Sequence, residues 1–206
     1  MGKHRSIWGV GPWILSVRWF CLPVSDSATT LGAPEWFEAL MHVLHAISQL
    51  DPRAGGPQMF LRGMSEAQIA VGMRVTAVGS FVKDDDMSMV ERLRNSGVDF
   101  QAVGPATGFL RRHPDLIATV DRLTAEVDVV HVHGCWEELQ HQAACAARRH
   151  RRPYLMRPCG MLGGWALGQK SLKKKIYMAG RLRRNLNRAS AIHFTTEQER
   201  QTVKPL

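Results

Sequence analysis

The chain has 206 residues, 45% apolar and 22% charged, with 27 Lys and Arg against 18 Asp and Glu for a net charge of +9. That length and balance suit one well-buried domain of ordinary soluble composition, and no apolar run approaches the roughly 18 residues that span a bilayer. The excess positive charge points to an anionic partner: nucleic acid, a membrane surface or a phosphate-bearing substrate.

The four cysteines (Cys21, Cys135, Cys145 and Cys159) show no CxxC spacing. A reducing compartment is therefore expected, without a disulfide framework and without a finger-like zinc site. Four of the six tryptophans (Trp8, Trp13, Trp19 and Trp36) fall within residues 1–40, a stretch with no sustained periodicity. Lys3, His4 and Arg5 precede "SIWGVGPWILSV" in the manner of a weak signal peptide, which Arg18 and the missing small-residue cleavage pattern oppose. Residues 1–40 are expected to be a poorly ordered extension, or to lie upstream of a true start at Met41.

From Met41 onward, apolar strand-like runs alternate with amphipathic helix-like runs, as a parallel α/β sheet requires. "MHVLHAIS" (41–48) reads as a strand and "QLDPRAGGP" as a loop. "QMFLRGMSEAQIAVG" (58–72) reads as a helix whose packed face carries Phe60, Met64 and Ile69. Strand 73–81, helix 85–97, strand 98–104 and helix 113–127 follow, the last opened by Pro114. "VDVVHVHG" (127–134) is the clearest strand, and the next helix stacks Leu139, Ala143 and Ala147 at four-residue spacing. A strand over 153–160, a basic helix over about 169–188, a strand in "SAIHFTT" and a helix from Glu197 complete the series. The expected architecture is a single Rossmann-like, doubly wound parallel sheet over residues 41–206, with ligands beyond the carboxyl ends of its strands.

Those ends supply the candidate residues. Gly55 and Gly56 follow the first strand, where paired glycines let backbone N–H groups approach an anion at a helix N-terminus; a plain tight turn explains them too. The pattern is not GxGxxG, so no dinucleotide cofactor is implied. His131, His133 and Trp136 end the fourth strand. A histidine there suits a sugar hydroxyl or a proton transfer, or is simply satisfied within a buried strand, with His131 expected to lie deeper than His133. Arg157, Cys159 and Gly160 end the fifth strand: Arg157 suits a phosphate, and Cys159 reads as a small packed residue sooner than a nucleophile. Lys173, Lys174, Lys175, Arg181, Arg183 and Arg184 interleave with Leu172, Ile176 and Leu182. They form either a face for an anionic membrane or a solvated helix surface. No aromatic platform or recognition helix supports nucleic acid as partner.

Taken together, "MHVLHAISQLDPRAGGPQ", "VDVVHVHGCWEE", "PYLMRPCGMLGGWALGQKSLKKKIY" and "RASAIHFTTEQE" resemble the N-terminal domain of family 4 glycosyltransferases of the GT-B type. The resemblance covers about residues 41 to 203. It implies two Rossmann-like domains facing across a cleft, acceptor on the N-terminal side and nucleotide-sugar donor on the other, with retention of anomeric configuration and no bound metal or further cofactor. Carried over, Gly55 and Gly56 approach the donor phosphates, His133 and Trp136 line the acceptor side, and the loop from Arg157 through Cys159 and Gly160 to Met161 forms the cleft floor. No catalytic residue is assigned. Two departures stand out: many relatives have histidine where Cys159 stands, and no Glu-x7-Glu donor motif occurs. The expectation is an acceptor-side half-enzyme, inactive alone, acting on a glycan or lipid-linked acceptor in the cytoplasm at the membrane's inner face. The alternative is a non-catalytic module paired with a separate donor-binding subunit.

Overall fold

The computed structural model describes residues 41–163 and 171–203; the expected extension over 1–40, and Trp165 and Lys170, lie outside the described residues. Six strands form one parallel sheet: β1 (His42–Ile47), β2 (Arg74–Ser80), β3 (Asp99–Val103), β4 (Val129–His133), β5 (Tyr154–Arg157) and β6 (Ala191–Ile192). Their order is β3-β2-β1-β4-β5-β6. Parallel neighbours cannot be joined by hairpins, so helices cross between them: α1 (Gly56–Ala70), α2 (Ser88–Asn95), α3 (Leu116–Ala125) and α4 (Glu138–Arg149). Strand order runs one way from β1 to β3 and the other way from β4 to β6, so β1 and β4 flank the switch point at the sheet's centre.

Alternation of side chains along the strands sorts the core into two layers. Val43, Ile47, Val75 and Ala77 pack with Leu61 of α1 and Met89, Val90 and Leu93 of α2. Leu44, Ala46, Val130 and Val132 pack on the other face with Val120 of α3 and Leu139, Ala143 and Ala147 of α4. The six strands and the first four helices stand where periodicity placed them, most with shorter ends; α1 instead begins two residues before the expected 58, so that Gly56 and Pro57 form its first turn. The fifth strand stops at Arg157 because Pro158 has no N–H to continue the ladder and Cys159 and Gly160 turn into the left-handed region at φ 56° and 77°.

The basic stretch is not one regular helix. It comprises α5 (Ser171–Tyr177), a π-helical segment (Met178–Leu182) and α6 (Arg183–Arg188). The wider turn aligns residues five apart, which brings Tyr177 and Leu182 to the core together, 8% and 0% exposed. The last described element is α7 (Glu197–Val203).

A second difference concerns α1. Its buried stripe is Gln58, Leu61, Ser65 and Gln68, while Phe60, Met64 and Ile69 are only half-buried. The sheet beneath explains the polar stripe. His45 stands directly opposite His131 in the β1–β4 register, and His133 opposite Ile47, so three imidazoles share the face that α1 covers. They are 0%, 5% and 1% exposed, which makes His133 the deeper of the β4 pair, contrary to the expectation from sequence.

Burial pushes all three imidazoles toward the neutral form: His45 is held at about 4 and His131 at about 2, with His45, His193 and Arg157 adding to burial for the latter. His133 is lowered well below 6.5, burial acting first, with His131, His45, Arg157 and His193 adding to it. A histidine whose folded pKa is depressed binds its proton only in the unfolded chain, so stability is full above the unfolded value and falls as pH drops below it. Three such groups remove roughly 4 kcal/mol per pH unit beneath about pH 6.5. Melting temperature is therefore expected to fall steeply between pH 6.5 and 4.5; a flat profile over that range in differential scanning calorimetry would contradict the buried, neutral cluster.

Candidate active site

At the carboxyl ends of β1 and β4 lies a cavity of about 330 Å³, lined by Ile47, Ser48, Gln49, Pro57, Phe109, His133, Gly134, Trp136, Glu137, Gln140, Met161 and Lys174. Six segments meet there: the end of β1, the first turn of α1 at Pro57, the β3–α3 loop at Phe109, the β4–α4 turn, the turn after β5 at Met161, and α5 at Lys174.

The β4–α4 turn is fixed by local chemistry. Gly134 adopts φ 85°, and its N–H donates to Arg157 O at 2.8 Å. Glu137 and Gln140 then form a reciprocal capping box at the start of α4, which satisfies N–H groups a helix start leaves open. The Gln140 amide also donates to His133 O at 3.0 Å and to Ser48 Oγ, tying β4 to β1 across the cavity floor.

Trp136 is half-buried at the rim. Its Nε1–H donates to Met161 O at 3.2 Å, its ring lies 5.9 Å from that of Tyr177, and Lys174 Nζ stands 5.1 Å from the ring centre. The Tyr177 hydroxyl donates to Glu137 O at 3.1 Å. Arg111 reaches Ser48 O at 2.8 Å, Glu137 Oε1 at 3.5 Å and Asp85 Oδ2 at 3.6 Å. Burial nevertheless raises the Glu137 carboxyl, Ser48 and Arg111 pulling the other way, and Glu137 Oε2 is buried without a hydrogen-bond partner. The wall thus joins an aromatic face to a carboxylate, an amide, a hydroxyl and an ammonium, a mixture that suits a polyhydroxylated ligand with an apolar ring face.

The remaining sequence candidates separate. Gly55 and Gly56 open α1 beside this cavity, Gly55 at φ 101°, and nothing stands within 4 Å of where a side chain would project from either. Arg53, next to them, is held by Asp51 at 2.9 and 2.5 Å, so its charge is already matched. Arg157 does not line the cavity. It is 4% exposed, with its guanidinium 3.5 Å from the centre of the Phe60 ring and 3.3 Å from Cys159 Sγ. The Cys159 thiol donates to Arg157 O at 3.3 Å, and burial raises its pKa, which keeps it a protonated, packed group. The Gly160 N–H donates to Glu199 Oε1 at 2.6 Å, and Glu199 Oε2 accepts from the Thr195 N–H at 2.7 Å. One carboxylate on α7 therefore pins the loop after β5.

The basic set divides likewise. Lys174 belongs to the cavity, and Arg181 donates to Glu138 at 2.8 Å. Lys175, Arg183 and Arg184 are exposed. Lys173 lies on α5; its side chain is outside the described residues. Sequence reading did not single out Ser48, Glu137, Gln140 or Glu199. The capping-box spacing of Glu137 and Gln140 was the one available signal.

Comparison with known proteins bears on this arrangement. The family described as "Glycosyl transferase 4-like domain" matches residues 55–205. Comparison with curated proteins gives no match. Among solved structures, Anabaena Alr3699/HepE, in complex with UDP and glucose, is similar at TM-score 0.55 and 18% identity, over 80% of this chain and 41% of its own. A Listeria monocytogenes protein described as a UDP-N-acetylglucosamine 2-epimerase is similar at TM-score 0.55 and 15% identity, over 81% and 42%. At these identities the likeness is one of fold, and this chain spans about two-fifths of the length of both. With three quarters of the sequence inside the family match, and the sheet of a GT-B half built around a cleft at the ends of β1 and β4, the chain belongs to the glycosyl transferase 4-like family.

Proposed function

We propose that this domain is the acceptor-binding half of a retaining glycosyltransferase that moves a sugar from a nucleotide-sugar onto a glycan or lipid-linked acceptor. The single observation that carries the proposal is the cavity between Trp136 and Ser48, whose mixed lining fits a sugar acceptor. Trp136 offers a ring face for stacking, while Glu137, Gln140 and Ser48 offer polar groups for hydroxyls. Lys174 favours an acceptor that carries phosphate or another negative group. The Gly55 N–H donates to Pro52 O at 3.3 Å, so at the open glycine pair the Gly56 N–H, in the first turn of α1, is the backbone group toward which donor phosphates can be brought. The complex of HepE with UDP and glucose supports a nucleotide-sugar as donor.

In this reading no metal or added cofactor takes part in transfer, and the donor is held by a second domain. The described residues make one wall of a cleft, and catalysis depends on positioning both substrates together. The chain alone is therefore expected to bind acceptor without turning it over. Incubation with labelled UDP- and GDP-sugars and candidate acceptors should give no product above background, and robust turnover would overturn the half-enzyme reading. A non-catalytic module that recruits a separate donor-binding subunit fits the same result; transfer restored only when that subunit is added would favour it.

Trp136→Ala is expected to weaken acceptor binding by about 3–10-fold, the worth of one aromatic stacking contact, measured by calorimetry at a temperature where the variant is folded, since the change also removes the Trp136 contacts with Met161 and Tyr177. Unaltered affinity would remove Trp136 from the site.

The α5 surface supports a contact with the inner face of a membrane from the cytoplasmic side. Leu172 and Ile176, one helical turn apart, are 70% and 67% exposed beside the exposed Lys175, and Phe109 and Arg112 border the same apolar groove as Ile176. Among the described residues no helix is long and apolar enough to cross a membrane, so the contact would be peripheral. Binding to vesicles containing anionic lipid is expected, weakened by salt and by the double change Leu172→Ser and Ile176→Ser; equal binding to neutral vesicles would contradict it.

A further inference from the structure

Among the described residues, His45, His131 and His133 form a three-ligand cluster with no carboxylate in it, and one nitrogen from each lies within 4.8 Å of the others. From this geometry we propose that the three histidines bind a single transition-metal ion, a site independent of the sugar-transfer reading.

The backbone makes the cluster. His45 and His131 are register partners on adjacent parallel strands, and His133 follows two residues later on the same face. A point central to three atoms no more than 4.8 Å apart lies within about 2.8 Å of each, so side-chain shifts under about 0.8 Å reach the 2.0–2.1 Å of a zinc–imidazole bond. Strand backbone need not move for shifts of that size.

The surrounding contacts suit a ligand set. His45 Nε2 donates to Gln68 Oε1 at 2.8 Å, leaving the Nδ1 lone pair directed at His133 Nε2, 2.9 Å away. An outer acceptor on the far nitrogen is how metal-binding histidines are usually oriented. His133 Nδ1 is buried with no hydrogen-bond partner at all, so hydrogen bonding within the protein leaves this cluster unsatisfied. His193 Nδ1 stands 3.3 Å from His131 Nε2, on the flank of the cluster. His133 also borders the cavity, which gives an ion a route from solvent.

One observation limits which ions fit. Arg157 lies close enough to disfavour added positive charge on His131 and His133, although its guanidinium is stacked on Phe60 at 3.5 Å. Binding must therefore come from direct nitrogen coordination and not from a negative field. Imidazole-only sites select Zn²⁺, Co²⁺, Ni²⁺ and Cu²⁺ over the oxygen-seeking Mg²⁺ and Ca²⁺. A bound ion would join β1 to β4 at the switch point and fix the His133 ring under the cavity.

The test uses the full chain, freed of metal with a chelator. Titration with Co²⁺ is expected to give the visible absorption of a nitrogen-coordinated ion, saturating at one equivalent. Zn²⁺ at a hundredfold excess over its Kd should raise the melting temperature by about 5–10 °C, and Mg²⁺ should leave it unchanged. His133→Gln should abolish both responses, while His141→Gln, which alters the separate His141–Cys145 contact, should retain them. X-ray absorption on the Zn²⁺-loaded wild-type protein needs no variant to fold and should count three imidazole nitrogens. Absence of stoichiometric Co²⁺ absorption, sulfur in the zinc shell, or binding that survives His133→Gln in a folded protein would overturn the site.

Discussion

Every strand of the sheet runs in the same direction, so every carboxyl end, with the loop that follows it, arrives at one edge. Because the order of strands reverses between β1 and β4, the loops after those two strands lead away to opposite sides and leave a crevice between them. The cavity lies there, and the groups that shape it are the ones that bridge it: the Gln140 amide reaches Ser48 and the His133 carbonyl, and Arg111 reaches Ser48 and Glu137. The family match, the mixed aromatic and polar lining and the exposed glycine pair all take their meaning from that single geometric constraint.

The interior beneath the crevice is polar at considerable cost. Three imidazoles, the Gln68 amide and the Arg157 guanidinium occupy buried positions that aliphatic side chains fill elsewhere in the core. Burying such groups is tolerated only where they bond one another, and His133 Nδ1 and Arg157 Nε have no hydrogen-bond partner. An unsatisfied polar core directly under a cleft is a feature of function more than of stability. It couples the floor of the cavity to α1, because Phe60 lies against the His133 ring and Gln68 bonds His45.

Much of the fold was legible in the sequence because period-two and period-3.6 patterns survive wherever one face meets hydrocarbon. "VDVVHVHG" and "MRVTAVGSF" are buried strands, and Leu139, Ala143 and Ala147 face the core at 0% exposure. Pattern reading failed where the buried partner was polar. The α1 face was expected at Phe60, Met64 and Ile69, but the helix covers histidines, so Gln58, Ser65 and Gln68 turn inward with Leu61. His45 could not be joined to His131 and His133 without the pairing of β1 with β4, a contact across 86 residues that no local period records. Arg157 and Arg181 looked available for anions, yet one is stacked against Phe60 and the other is matched by Glu138.

The account stands on the ligand lying at the carboxyl edge of β1 and β4. Titration of the isotope-labelled chain with candidate glycan and lipid-linked acceptors, followed by amide chemical shifts, tests this most directly. Perturbations should concentrate at Ser48, His133, Gly134, Trp136, Glu137 and Met161. Saturable shifts centred instead on the opposite edge, at Met73, Asp99 and Asp128, would contradict it.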